Sequence, residues 1–345
     1  MKNINLSVDG GGTNLRIIAF DEDLNLIAQS KSGSVNQNFE SDKKIGENIS
    51  VAVKKLITDL RILPGDFRIK NIYATIVGNI NFFNEIFTRE SGGFAQDTVF
   101  HNISEGHSHL FAASLKNKGG VALAGTGSGA IYCDCNKNKI LHLGGYGIPV
   151  GDEGSGAWVG IQGMSAAIKN INGWGEKTLL TEMLYKYLDI GVKKSVISAL
   201  YRKDINQRIL FAGFCPFVAE CERSGDKIAK EIIYSAGRDM ALQMISVLKR
   251  AENENLIDIA EENPIIYASG GVWKGTPYML EVMTEKIREV YPGAICTHGL
   301  FDPVMGGVIK FIFDKIYEID KIDKIDEEHL KKEFKDYLFK FNEFI

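Results

Sequence analysis

Several features that would place a protein in a specialised class are scarce in this sequence of 345 residues. It has 5 cysteines, an odd number scattered along the chain, which argues against a disulfide framework. Its 7 prolines are too few for a collagen-like or linker composition. Lysine and arginine (40) nearly balance aspartate and glutamate (44), so the net charge of −4 supplies no basic surface for nucleic acid or an anionic membrane.

Long hydrophobic runs are missing as well. None approaches the ~20 residues that a membrane-spanning helix needs. The first residues form a short apolar strand that reaches Asp9, which is unlike a secretory signal. Hydrophobic residues make up 45% and charged residues 24%, an ordinary globular composition. We therefore expect a soluble, cytoplasmic protein that binds neither nucleic acid nor membrane, and the length favours two domains.

Glycine, in contrast, is abundant and clustered. Many of the 36 glycines fall in four segments that adjoin apolar, strand-like runs: 9–13, 125–129, 144–156 and 269–271. Glycine turns at strand ends are common ligand-binding places in α/β proteins. The first two segments each stand between two strands, with helices further on. This repeated order predicts a duplicated α/β architecture with a cleft between the halves.

The segment Asp9-Gly-Gly-Gly-Thr13 does not match the common nucleotide fingerprints. Leu15 stands where a dinucleotide fingerprint has its third glycine, and a strand follows instead of a helix. The segment therefore predicts the turn of a β-hairpin, whose backbone N–H groups can approach a phosphate because no Cβ intervenes. Thr13 adds a hydroxyl group, and the Asp9 carboxylate can hold Mg²⁺ through water.

The segment Gly125–Gly129 is again followed by a strand, so it predicts a second hairpin loop of the same design. Two such loops indicate that both bind one polyphosphate from opposite sides. The turn Ser269-Gly-Gly271 follows the strand Ile265–Ala268 and would offer a flat backbone surface to a purine.

This combination resembles the sugar kinase, Hsp70 and actin superfamily, and its ordered motifs resemble the BadF/BadG/BcrA/BcrD ATPase family, specifically the N-acetylglucosamine kinase branch. The similarity spans roughly residues 4–310, and the motifs are Asp9–Asn14, Ala124–Ser128, Gly144–Gly147, Gly151–Ser155, Leu200–Arg202, Phe211–Cys215 and Gly271–Lys274. The resemblance implies an α/β fold of two RNase H-like (actin-like ATPase) domains, 1–117 and 118–309, with a nucleotide and sugar cleft between them. The resemblance does not cover the tail beyond about Phe313, where the residue pattern predicts a C-terminal helix, from about 310–345, that packs back on the first domain.

The resemblance also implies roles for single residues. Those matched to ATP binding are Asp9, Gly11, Gly12, Thr13, Asn14, Thr126, Gly127, Ala212, Gly270 and Gly271, with Asp9 also holding the metal. Those matched to sugar binding are Asn36, Ser128, Gly129, Gly145, Tyr146, Gly147 and Asp152. Glu105 stands where the family usually has its catalytic aspartate, at a strand end, and a glutamate can also accept a hydroxyl proton.

Structural roles stay open at some of these positions. Asp152 could cap the helix that follows it, and Glu105 could be a first-turn acid that the helix dipole favours. In the tail, apolar residues recur at helical steps: Leu330, Phe334, Leu338 and Phe341. They predict an amphipathic helix that packs on the first domain or binds a partner, which includes a second copy in a homodimer.

The activity that the resemblance implies is ATP- and Mg²⁺-dependent phosphorylation of the 6-hydroxyl of an N-acetyl amino sugar. In N-acetylglucosamine kinases that the chain resembles, asparagine commonly follows the loop serine and tryptophan stands in the Gly-Gly-Trp-Gly motif, whereas this chain has Gly129 and Tyr146. The glycine predicts a side-chain-sized space in the sugar site. That space would admit N-acetylmuramate beside N-acetylglucosamine, a range suited to cell-wall sugar recycling. A narrower range is the alternative.

Other functions stay open as well. The protein could be a glucosamine or glucose kinase, a sugar-sensing regulator, or an ATPase activator of an acyl-CoA reductase or dehydratase. Such activators hold an iron–sulfur cluster through cysteines. Cys133 and Cys135 fall in a strand hairpin and Cys215 and Cys221 on a helix, so none lies in the loop that a cluster would need.

Overall fold

The computed structural model describes residues 2–191, 195–201, 206–319 and 326–341. The chain divides into two compact units. The first unit is formed by the residues up to Asn117 together with Leu300–Leu338, and the second by Lys118–Gly299 together with the residues from Phe339 onward. Within the described ranges, no helix combines the length and the apolar character needed to cross a membrane.

The described chain contains strands and helices in an α/β arrangement. The strands are β1 (Lys2–Gly10), β2 (Asn14–Asp21), β3 (Leu26–Gly33), β4 (Phe67–Ile76), β5 (Val99–Asn102), β6 (Lys118–Ala124), β7 (Ser128–Asp134), β8 (Lys139–Gly144), β9 (Ile265–Ser269) and β10 (Ile295–His298). The α-helices are α1 (Asp42–Ile62), α2 (Ile80–Ser91), α3 (Glu105–Ser114), α4 (Gly156–Ile171), α5 (Leu180–Tyr187), α6 (Val196–Leu200), α7 (Gln207–Arg223), α8 (Lys227–Asn253), α9 (Tyr278–Arg288), α10 (Gly306–Ile319) and α11 (Glu327–Glu333).

The two sheets have the same topology. The first runs β3-β2-β1-β4-β5 and the second runs β8-β7-β6-β9-β10. In each sheet the first three strands form an antiparallel meander, and the other two are added in parallel. The predicted α/β duplication is confirmed, and both glycine loops are turns between adjacent antiparallel strands.

The central strand of the first unit is buried on both faces. Ile4, Leu6 and Val8 alternate with Asn5 and Ser7, and all five are almost fully inaccessible to solvent. Two of the buried polar atoms are paired, because Asn71 Nδ2 donates to Asn5 Oδ1 at 2.8 Å and Ser7 Oγ donates to the Val304 carbonyl at 2.5 Å. The buried centre of β1 therefore fixes the position of Asp9 and Gly10 at its carboxyl end.

Helix α1 begins and ends where local chemistry predicts. The side chain of Ser41 accepts a hydrogen bond from Lys44 N and caps α1, which ends before Pro64. Its apolar positions face the sheet, with Ile49, Val53 and Leu56 buried.

The prediction that the tail forms a single helix is wrong. Helix α11 ends at Glu333, and Lys335–Tyr337 form a short 3-10 turn. Leu330 and Phe334 are buried in the first unit, whereas Phe341 contacts the imidazole of His298 edge-on in the second unit. The apolar residues therefore pack along an irregular path instead of forming one stripe. Residues 320–325 and 342–345 of the predicted helix, and Arg202 of the predicted motif 200–202, lie outside the described residues.

Candidate active site

The glycine loop of the first unit is held by hydrogen bonds at its ends and is open at Gly11. Gly11 N donates to Asn14 O at 3.0 Å, and the Gly11 carbonyl accepts from Val35 N at 3.3 Å. A Cβ added to Gly11 would meet no atom within 4 Å, whereas one added to Gly10 would lie 2.7 Å from the side chains of Ile76 and Val35. Gly10 thus serves packing. The backbone at Gly11 faces open space, as a phosphate cradle requires.

Asn36 lies beside this loop. Its side chain is buried, and its Oδ1 accepts from Asn38 N at 2.9 Å. Its Nδ2 lies 4.0 Å from the position of a Cβ on Gly12. The structure therefore brings Asn36 and Gly12 together, with the Asn36 amide group fixed by the turn that follows it.

Asp9, at the carboxyl end of β1, is surrounded by charge. Burial raises the pKa of Asp9 to about 6; Arg16 opposes this shift, and the negative charges of Glu105 and Asp302 add to it. Arg16 is the cross-strand partner of Asp9, and its Nη1 lies 3.5 Å from Asp302 Oδ2. Mg²⁺ is commonly held by one or two carboxylates together with substrate phosphates, and Asp9 next to the open backbone at Gly11 fits that requirement.

Arg16 and Asp302 were not expected from the sequence. A signal for Arg16 did exist, because a hairpin whose turn is centred between Gly12 and Thr13 pairs Asp9 with Arg16. No comparable signal existed for Asp302, which lies 286 residues after Arg16 along the chain.

Glu105 is the first residue of α3, so its predicted place at a strand end is wrong in detail. Strand β5 ends at Asn102, and Ser104 caps α3 by accepting a hydrogen bond from His107 N at 3.3 Å. Glu105 is only partly buried, and its charge raises the pKa of Asp9. The position combines a first-turn acid, which the helix dipole stabilises, with a carboxylate close to the predicted metal ligand.

The raised pKa of Asp9 predicts that Asp9→Asn stabilises the free protein at neutral pH. A folded-state pKa of about 6 exceeds the ordinary pKa of 3.8 for an aspartate, so protonation favours the folded state. This contribution is complete below the lower pKa and is lost as the pH rises through the upper one. We expect a gain of about 1–3 kcal/mol above pH 7 that shrinks towards pH 4. Thermal unfolding between pH 4 and 8 measures it. The exposed Asp23→Asn is the control, and equal pH profiles for the two variants would contradict the prediction.

The glycine loop of the second unit is fixed to the start of α4. Gly125 N donates to Gly127 O at 2.8 Å, and Gly156 N donates to Gly125 O at 2.8 Å. Thr126 also takes part, because its carbonyl accepts from Ala157 N at 3.4 Å. The loop therefore lies at a helix N-terminus, where the helix dipole favours negative charge, while the first N–H groups of α4 donate to the loop carbonyls and to Ser155.

The residues predicted for the adenosine side lie around the same helix start. A Cβ on Gly156 would lie 3.6 Å both from Ala212 Cβ and from Val272 Cγ2. Gly270 has a φ of +110°, and a Cβ there would lie 2.4 Å from the Ala124 carbonyl oxygen. Only glycine fits at that position. The structure thus assembles Ala212 and the 270–271 turn next to the second loop.

Asp152 forms a buried ion pair. Its side chain is 1% exposed, and its Oδ2 accepts from Arg208 Nη2 at 2.8 Å. Its Oδ1 accepts from Gly147 N at 3.2 Å. A Cβ on Gly127 would lie within 2.8 Å of both charged groups, so the pair adjoins the loop. Arg208 was missed in the sequence because nothing in its local pattern distinguishes it from a surface arginine.

Asp152 does not cap α4, as the alternative for this residue supposed. Ser155 does, since its side chain accepts from Trp158 N at 3.1 Å. Asp152 has a φ of +64°, which is unusual for a residue other than glycine. Aspartate tolerates this conformation better than most residues, and here the carboxylate is directed at Arg208 and Gly147.

Three other predicted sugar residues differ in their surroundings. Ser128 is buried, and its hydroxyl donates to the Glu153 carbonyl at 2.7 Å. Tyr146 is 81% exposed. The prediction of a vacant space at Gly129 is wrong, because a Cβ there would lie 2.6 Å from His142 Nε2 and 3.1 Å from the Leu143 carbonyl oxygen. A side chain from the neighbouring strand occupies this volume.

Three of the cysteines are buried and form no disulfide: Cys133, Cys215 and Cys221. Burial raises the pKa values of the Cys215 and Cys221 thiols to about 12, so both are neutral at physiological pH. Metal ligation needs a thiolate, which this environment disfavours. These cysteines pack as small apolar side chains.

Comparison with known proteins agrees with this architecture. An N-acetylmuramic acid/N-acetylglucosamine kinase of Clostridium acetobutylicum is 26% identical over 194 residues, which are 56% of this chain and 61% of that enzyme, less than two thirds of its length. An N-acetyl-D-glucosamine kinase of Dictyostelium discoideum is 26% identical over 322 residues, 89% of this chain and 97% of that enzyme.

The fold is also found in a crystal structure from Porphyromonas gingivalis, described as that of a proposed N-acetylglucosamine kinase. It superposes with a TM-score of 0.67 at 19% identity and covers 90% of this chain and 98% of that one. The sequence profile of one family matches residues 6–309, nearly the whole chain. The protein therefore belongs to the BadF/BadG/BcrA/BcrD ATPase family.

Proposed function

We propose that this protein is an ATP-dependent kinase that phosphorylates the 6-hydroxyl of an N-acetyl amino sugar, N-acetylglucosamine and also N-acetylmuramate. The observation that carries the proposal is the pair of glycine loops at equivalent turns of two sheets with the same topology. Membership in an ATPase family supports the use of ATP. The two similar enzymes named for these sugars support the substrate class. N-acetylmuramate is included because the Clostridium kinase is named for both sugars; the space predicted at Gly129 no longer supports it.

In the first unit, the residues that we assign to ATP binding are Asp9, Gly11, Gly12, Thr13 and Asn14. In the second unit, the residues with this assignment are Thr126, Gly127, Ala212, Gly270 and Gly271. Asp9 would hold Mg²⁺, which when bound supplies positive charge beside the phosphates. The open backbone at Gly11 and the helix start behind Gly125 support these assignments.

The sugar would be bound by Asn36, Ser128, Asp152 and the segment Gly145–Gly147. Asp152 is suited to this role because each carboxylate oxygen has more than one lone pair. One position on each oxygen is taken by Arg208 or Gly147, and the others can accept hydrogen bonds from sugar hydroxyls. The ion pair also fixes the orientation of the carboxylate, which lowers the entropic cost of binding.

Glu105 would act as the base. As the 6-hydroxyl oxygen forms a bond to the γ-phosphorus, the bond between that phosphorus and the β,γ-bridging oxygen breaks and ADP leaves. The hydroxyl proton passes to the Glu105 carboxylate. Most of the acceleration in such reactions comes from positioning and charge neutralisation, so the base adds to a site that the loops already organise.

An ADP-release assay across four sugars tests this function. We expect turnover with N-acetylglucosamine and N-acetylmuramate, and much less with glucosamine and glucose. Phosphorus NMR of the product should locate the phosphate at carbon 6. A preference for glucosamine or glucose would reassign the substrate, and no ADP release with any of the four sugars would overturn the proposal.

A further inference from the structure

The side chain of His142, in the second sheet, lies next to Gly129. It lies on β8 opposite Ile131, two residues beyond Gly129 on the paired strand β7. Its Nε2 would be 2.6 Å and its Cδ2 3.3 Å from a Cβ on Gly129. With the ring in its observed position, any side chain at position 129 would overlap the imidazole. The glycine and the histidine are therefore a matched pair, in which the absence of one side chain makes room for the other.

The imidazole lies among residues already proposed to bind the sugar. A Cβ on Gly145 would be 3.5–3.6 Å from His142 Cε1 and Nε2, so the ring lies near both Gly129 and Gly145. Gly129 directly follows Ser128, and two residues after Gly145 the N–H of Gly147 donates to Asp152. His142 itself is exposed, which leaves part of the ring accessible to a ligand.

The chemistry of the ring suits recognition of a neutral polar ligand. Partial burial lowers the pKa of His142 below its usual value, so the imidazole is neutral at pH 7. A neutral imidazole offers one N–H donor and one acceptor nitrogen, so it combines a donor with an acceptor, as the larger donor and acceptor set of an asparagine amide also does. In the described part of the chain, neither ring nitrogen of His142 has a hydrogen-bond partner.

We propose that His142 is a specificity-determining residue that hydrogen-bonds the amino sugar in place of the asparagine that related kinases carry after the loop serine. The proposal rests on the sugar kinase function argued above. Position 129 carries no side chain, and His142 on the neighbouring strand supplies the polar group instead. Because the imidazole reaches the site from β8, it presents its donor and acceptor from a different direction, and sugar preference depends on that direction.

The test compares four variants in the ADP-release assay: His142→Ala, His142→Gln, Gly129→Asn, and the double variant His142→Gly with Gly129→Asn. We expect His142→Ala to raise the KM for N-acetylglucosamine roughly 5- to 15-fold, the effect of one lost hydrogen bond, with the KM for ATP within about twofold. His142→Gln, which keeps a donor and an acceptor, should restore part of the affinity. Lys139→Ala, an exposed change on the same strand, is the control.

The position-129 variants test the matched pair. Gly129→Asn alone should lose activity because the new side chain overlaps His142, and the double variant should recover N-acetylglucosamine turnover. Circular dichroism and thermal unfolding verify that each variant folds. An unchanged sugar KM and unchanged relative rates in His142→Ala would overturn the proposal. So would full activity of Gly129→Asn alone. Wild-type protein that phosphorylates no sugar would instead refute the proposed function.

Discussion

Gly11→Val is expected to abolish binding of Mg-ATP while the protein stays folded. A Cβ at this position meets no atom within 4 Å, so the free protein has room for the larger side chain. The branched side chain would stand where the loop backbone must approach a phosphate. We expect the Kd to rise at least about 100-fold, equivalent to about 2.8 kcal/mol. Calorimetric titration with a non-hydrolysable ATP analogue and Mg²⁺ measures the affinity, and thermal unfolding measures the fold.

Two other glycines of the first unit serve as controls. A Cβ on Gly93 also meets nothing within 4 Å, so Gly93→Val should change neither affinity nor stability. Gly10→Val should lower stability, because its Cβ would lie 2.7 Å from Ile76 and Val35. If Gly11→Val binds the nucleotide as tightly as Gly93→Val does, the first loop is only a turn.

Glu105→Gln is expected to lower kcat by ~10²–10⁴-fold and to leave the affinity for ATP unchanged, since general-base help contributes about that much. Glutamine has nearly the same shape and keeps the start of α3, but it cannot accept the proton. The first-turn charge is also lost, which should cost only about 0.3–1 kcal/mol of stability. Single-turnover kinetics, with nucleotide affinity measured in parallel, separates the chemical step from binding.

The matched control is Glu328→Gln, which removes a first-turn acid from α11, where the side chain is 85% exposed. It should lose a similar small amount of stability and no activity. Glu105→Asp should keep part of the rate, because a carboxylate remains. Wild-type turnover in Glu105→Gln would reduce Glu105 to a helix-stabilising residue and leave proton transfer to Asp152 or to no base.

Much of the architecture could be predicted because it follows from local rules. Alternating apolar residues around three glycines, as in Asp9–Phe20, can form little except a hairpin, and the same pattern around Gly127 predicts the second. The order of strands, turns and helices then predicts the duplicated α/β fold. The short strands β5 and β10 were missed, since four-residue segments carry too little periodicity to be recognised.

The sequence by itself determined which segments form turns at strand ends and which residue types those turns present. Only the tertiary structure decided what lies around them. Asp302 reaches Arg16 from 286 residues away, and Arg208 reaches Asp152 from 56 residues away. Likewise, the missing side chain at Gly129 indicated an empty volume, which His142 fills. Spacing along the chain describes the periodicity of a single helix or strand. Whether a volume is filled depends on every element that packs around it, so only the tertiary structure shows which side chain occupies it.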